Sequence, residues 1–148
     1  MKHLSQEATK IVDTLTANVL EIGDAKTFDA HGYTKHWDGG IMAAHVELID
    51  NVPSSGSGNL YSITHYYKQN GDMMRDPEMI FWHGKTVNRK GEMIDTYYPT
   101  YFRQDPAIEQ ESAIFENGKL TGYSPRMQKD HAIFANQWMK NIKEQQNI

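Results

Sequence analysis

Two Asn-Gly dipeptides, Asn70-Gly71 and Asn117-Gly118, each stand between runs of β-forming residues. Both residue types accept positive φ at little cost, as a two-residue turn between antiparallel strands requires. The pairs therefore predict two hairpins and commit much of the chain to antiparallel sheet. The clearest strand is residues 60–67, where Tyr61, Ile63 and Tyr67 are β-formers and His65 shares their side. Residues 41–52 also alternate, with Met42, Ala44, Val46 and Leu48 on one face and Ala43, His45 and Glu47 on the other. Residues 27–30 and 79–83 suggest short strands. Residues 92–102 suggest an aromatic one, in which Pro99 favours an edge or a bulge. Residues 53–59, PSSGSGN, read as a hairpin loop, and 112–115 with 119–123 flank the second Asn-Gly turn.

Helical spacing occupies the two ends. Leu4, Ala8, Ile11, Val12, Leu15, Val19 and Leu20 recur at steps of three and four, predicting a helix over 4–20 that Gly23 stops. Ser5 gives it an approximate cap, without an acid or amide three residues on. A second helix begins near Ser124-Pro125, where serine can cap and proline suits the first turn. Its predicted stripe is Met127, His131, Phe134, Trp138 and Ile142. The expectation is one α+β domain over residues 1–148, a single antiparallel β-sheet flanked by N-terminal and C-terminal helices.

Composition narrows the chemistry. With 148 residues, 39% hydrophobic and 23% charged, the chain suits one soluble globular core. The absence of cysteine removes disulfides, thiol catalysis and thiolate metal sites. A net charge of −4 argues against broad capture of nucleic acid. No apolar run approaches the length of a membrane span, and the first residues are interrupted by charge, so a cytoplasmic protein without membrane attachment is expected.

Familiar catalytic and cofactor patterns fail. Gly56-Ser57-Gly58 lacks the third glycine of a dinucleotide loop, and no phosphate loop, nucleophile elbow or His-Glu-x-x-His occurs. His45-Val46-Glu47 has the His-x-Glu of zinc deaminases without their cysteines. Asp72, Asp76 and Glu78 do not follow calcium-loop spacing. No cofactor is expected. His31, His36 and Asp38 on a glycine-rich loop offer metal-ligand types, but a solvated loop is the simpler reading.

The densest polar cluster runs from residue 65 to residue 79. In it a strand delivers His65 and a tight turn presents Gln69, Asn70 and Asp72. Arg75, Asp76 and Glu78 follow around Pro77. Mixed charge on a rigid turn suits recognition of a protein partner. Turn chemistry accounts for the same residues without any ligand, since Asn and Asp close turns through their own backbones. A competing reading gathers His45, Glu47, His65 and Asp72 into a metal-assisted hydrolase or nuclease, which requires them to converge. A third uses the aromatic residues (Tyr61, Tyr66, Tyr67, Phe81, Trp82, Tyr97, Tyr98, Tyr101 and Phe102) as a stacking platform for single-stranded nucleic acid. Charge favours the protein partner.

Residues 65–79, HYYKQNGDMMRDPEM, resemble the signature of an uncharacterised domain family of plasmid, conjugative-element and phage proteins. The matching positions are His65, Tyr66, Gln69, Asn70, Gly71, Asp72, Asp76, Pro77, Glu78 and Met79. Glu47, Tyr97-Tyr98-Pro99, residues 134–138 and residues 141–143 are similar to flanking parts of the pattern, so the likeness spans about residues 41–145. The tail departs from it, reading Glu144-Gln145-Gln146-Asn147 where the pattern has a glycine. The resemblance implies a mobile-element setting and a shared fold, and transfers no catalytic role. Such elements carry small acidic proteins that block host defence nucleases. The expected function is accordingly a non-enzymatic protein-interaction module, with a counter-defence inhibitor as its sharper form and His65, Gln69, Asn70, Asp72, Arg75, Asp76 and Glu78 as the contact residues.

Overall fold

The computed structural model describes residues 1–35, 40–53 and 58–148. Helix α1 covers Gln6–Thr16, and Ser5 caps it in an extended conformation, its Oγ accepting from the Ala8 N–H at 3.1 Å. Ala8, Ile11, Val12 and Leu15 form its buried stripe. It ends well before Gly23. Thr16 Oγ1 donates back to the Val12 carbonyl at 2.9 Å, Ala17 is already extended, and Asn18 takes a φ of 67°. Leu4 and Val19 are still buried, so the apolar periodicity runs past the helix at both ends.

Strands β1 (Ala25–Phe28), β2 (Ala44–Asn51), β3 (Asn59–Gln69), β4 (Asp72–Val87), β5 (Met93–Gln104) and β6 (Ile108–Glu111) form one six-stranded sheet. Neighbours in space are neighbours in sequence and every pair is antiparallel, so the sheet is a meander. Strands β7 (Ala113–Glu116) and β8 (Lys119–Tyr123) make a separate two-stranded sheet, and helix α2 (Pro125–Gln146) closes the chain. Both Asn-Gly turns behave as expected, with φ of 52° and 85° at Asn70-Gly71 and of 50° and 75° at Asn117-Gly118.

One face of the large sheet carries the main core. Ala44, Val46, Leu48, Tyr61, Ile63, Met79, Phe81 and Tyr97 pack there with Ala8, Val12 and Leu15 of α1 and Ala135, Trp138, Met139 and Ile142 of α2. The opposite face is only partly covered. Trp82, Tyr98 and Leu60 gather there with Val52, and Phe115 and Leu120 of the β7–β8 hairpin pack over them. The rest of that face is polar, and it adjoins the candidate site.

The structure corrects several local expectations. Pro99 does sit at a bulge, and on a stretch of β5 that β6 does not reach, since β6 pairs only with residues 101–104. Strand β4 runs straight through Pro77, where the sequence suggests only a short strand from Met79. Ser124 makes no side-chain cap to α2; its carbonyl instead accepts from the Gln128 N–H. Phe134 is 42% exposed, and Gln128, Ala132, Ala135 and Met139 complete the buried stripe. The loop serines and Gly56 of residues 53–59, with His36 and Asp38, lie outside the described residues. No helix among the described residues is long and apolar enough to cross a membrane.

Candidate functional site

The turn end of the β3–β4 hairpin projects past the strands on either side of it. Strand β2 pairs with β3 only as far as Ala44↔His65, and β5 pairs with β4 only as far as Glu78↔Arg103. Beyond those rungs, Tyr66↔Arg75, Tyr67↔Met74, Lys68↔Met73 and Gln69↔Asp72 form a two-stranded arm that no further strand joins among the described residues. At about 3.3 Å per residue the arm spans on the order of 10 Å.

A bulge marks its base. Between Thr64↔Glu78 and Tyr66↔Arg75, β3 spends one residue and β4 spends two, Asp76 and Pro77. The polar groups here are largely taken up by the scaffold. Asp105 Oδ2 accepts from the Arg75 backbone N–H at 2.9 Å, while the Asp105 N–H donates to the Arg75 carbonyl at 3.0 Å. Asp105 Oδ1 accepts from Arg103 Nε at 2.8 Å. The Arg75 N–H bond, then Arg103, hold the Asp105 carboxyl below the usual carboxylate range. Glu78 accepts from Ser62 Oγ at 2.7 Å and stands 3.3 Å from Arg75 Nε, an ion pair that lacks the angle of a hydrogen bond. Asp76 accepts from Gln104 Nε2 at 2.6 Å.

The tip is different. Gln69, Asn70, Gly71 and Asp72 are exposed, and the side chains of Gln69, Asn70 and Asp72 make no hydrogen bond or ion pair among the described residues. The seven contact residues expected from sequence thus fall into three groups. Gln69, Asn70 and Asp72 project outward. Arg75, Asp76 and Glu78 are half-buried and hold the arm's base in place. His65 belongs to neither: it is 4% exposed, bonds the Ala43 carbonyl through Nδ1 at 2.8 Å, and meets the Trp138 ring edge-on at 5.3 Å. Its partner Ala44 lies on the core face, so the strand's own alternation removes His65 from any contact surface.

The same alternation separates the proposed metal quartet. His45 and Glu47 stand on the face opposite Ala44, Val46 and His65, while Asp72 is at the arm's tip. His45 bonds Thr27 Oγ1 at 3.1 Å, and burial, followed by the nearness of His65, pushes its pKa down. The four do not converge, and no group of three or more His, Asp or Glu among the described residues is arranged to hold a metal. The aromatic platform also dissolves. Tyr61, Phe81, Trp82, Tyr97 and Tyr98 are buried, leaving Tyr66, Tyr67, Tyr101 and Phe102 half-covered.

What the sequence conceals is an ordered polar face beside the arm. One rung across the six strands reads Thr27, His45, Thr64, Glu78, Arg103 and Glu109, and the next reads Ala25, Glu47, Ser62, Ile80, Tyr101 and Glu111. Tyr101 donates its hydroxyl to Glu109 at 2.9 Å, and Ser62 and Thr64 share a 3.2 Å hydroxyl contact. Carboxylates outnumber cations along these rungs, which gives the face an acidic bias.

The family described as a domain of unknown function, DUF6908, matches residues 16–148. The chain belongs to the DUF6908 family. The DUF6908 match begins inside the last turn of α1 and takes in the whole sheet, the arm and α2. No significant match to a curated protein or to a solved structure was found.

Proposed function

We propose that this DUF6908 chain is a small non-enzymatic protein-interaction module that docks through the tip of the β3–β4 arm and the acidic sheet face beside it. The observation that carries this reading is the division of labour along the arm. The side chains of Gln69, Asn70 and Asp72 have no hydrogen-bond or ion-pair partner among the described residues, while beneath them Arg75 pairs with Asp105 and Glu78, and Asp76 accepts from Gln104. A pre-ordered projection loses little entropy on binding, and its charges govern partner choice and encounter rate more than affinity. The acidic rungs and the net charge of −4 suit a basic surface on the partner.

In its sharper form the proposal places the module in the cytoplasm, in a mobile-element setting, as an inhibitor that covers the basic surface of a host defence nuclease. The resemblance of residues 65–79 to proteins of such elements supports that extension, and the acidic face gives it a physical basis.

The test compares wild type with the double variant Gln69→Lys/Asp72→Lys as bait for host proteins. Both positions are exposed on the last rung, so unfolding should shift by no more than about 0.5 kcal/mol. Loss of a specifically retained protein with unfolding unchanged supports the proposal. Equal retention by both baits, or no specific retention by wild type, contradicts it.

A further inference from the structure

On a part of the molecule away from the arm, the β4–β5 turn and the start of α1 enclose a cleft of about 680 Å³. That volume lies within the range of pockets that hold small molecules or short peptide segments. Leu4 and Ile94 give it an apolar floor, and Thr9 and Thr96 meet hydroxyl to hydroxyl at 3.2 Å beside them. Lys10 of α1 and Arg89 and Lys90 of the turn stand on its rim, all exposed. None of these three forms an ion pair among the described residues. The turn that presents two of them is fixed: Asn88 Oδ1 accepts from the Lys90 and Glu92 N–H groups, both at 2.9 Å, and Gly91 takes a φ of 80°. The rung entering this turn leaves Val87 and Met93 exposed side by side, at 57% and 65%.

We propose that this cleft binds a short acidic peptide segment that also carries apolar side chains. The unpaired cations meet its carboxylates, with Arg89 offering a planar fork suited to them. The apolar floor meets its hydrophobic residues. Glu92 and Asp95 also line the cleft, so a bound segment keeps its carboxylates toward Lys10, Arg89 and Lys90. A nucleic-acid strand fits less well because it has no apolar side chains to place on Leu4 and Ile94. The site stands independently of the arm, since no residue is shared between them.

The experiment measures fluorescence anisotropy of a labelled peptide of alternating glutamate and leucine against the full chain. An alternating lysine–leucine peptide and a single-stranded oligonucleotide serve as comparison probes. Saturable binding of the acidic peptide is expected, weakened about tenfold or more by Arg89→Glu/Lys90→Glu. The same charge change on α2, Arg126→Glu/Lys129→Glu, and the arm variant Gln69→Lys/Asp72→Lys should leave it unchanged. Lys10→Glu, exposed on a different element, provides a second reading should the turn variant fail to fold. Absence of binding by wild type, equal loss in the α2 variant, or tighter binding of the oligonucleotide or the basic peptide would overturn the proposal.

Discussion

Acidification should destabilise this fold well before its carboxylates protonate, and the cause lies in two core histidines. His65 and His131 are each 4% exposed. The Ala43 carbonyl can only accept, so His65 carries its proton on Nδ1, and charging the ring would put a second proton on Nε2 of a largely buried side chain. His131 lies between Ser112 Oγ, 2.8 Å from Nδ1, and Gln110 Oε1, 2.9 Å from Nε2. The neutral ring satisfies both by donating from Nε2 and accepting at Nδ1. Burial pushes both pKa values down, outweighing the opposing pull of Ala43 and Asp76 on His65 and of Asp130 on His131. The unfolded chain therefore binds more protons than the folded one below about pH 6.5, so stability is complete above that value and falls as the pH drops. For a histidine that stays neutral when folded, lowering the pH from 6.5 to 5.5 removes about 1 kcal/mol, or about 2 kcal/mol for the two together. Burial shifts His45 and His83 in the same direction. Urea unfolding across pH 7.5 to 5 measures the slope, and His131→Gln, which can keep one donor and one acceptor, should flatten it by about half of the pair's contribution. A stability that is flat or rises between pH 6.5 and 5.5 would show that these rings are charged in the fold and refute the reasoning.

Other substitutions separate roles that look alike in sequence. Ser5→Ala should cost about 1 kcal/mol in chemical denaturation by removing the cap on Ala8, whereas Ser124→Ala should be nearly neutral because its side chain caps nothing. Gly71→Ala meets open space but must hold a φ of 85°, so it should cost about 1–2 kcal/mol through the backbone alone. Phe81→Ala, at a fully buried position between the sheet and the helices, should cost about 3–5 kcal/mol in the same assay.

Local chemistry made the sheet legible. Asn-Gly turns and the alternation of Ala44, Val46 and Leu48 depend on nearest neighbours, and the structure has both. Strand β6 escaped because Ile108, Glu109, Gln110 and Glu111 are all exposed, so no alternation marks them. The end of α1 escaped for the opposite reason: Val19 stays buried after the helix has stopped. At the candidate site, His65 was misplaced by its imidazole, although its alternation with Tyr61 and Ile63 puts it in the core. Asp105 and Gln104, which hold Arg75 and Asp76, are about 30 positions away along the chain and carry no periodic signal. Nor do single strands reveal the polar rungs, since those exist only once six strands are in register.

The most direct measurement places a photo-cross-linking amino acid at position 72, on the arm's tip, and at position 129, on the exposed side of α2. Each is irradiated in the presence of host proteins. The account predicts a discrete adduct from position 72 that position 129 does not give and that Gln69→Lys suppresses. An adduct of equal yield from both positions, or one from position 129 alone, would contradict it.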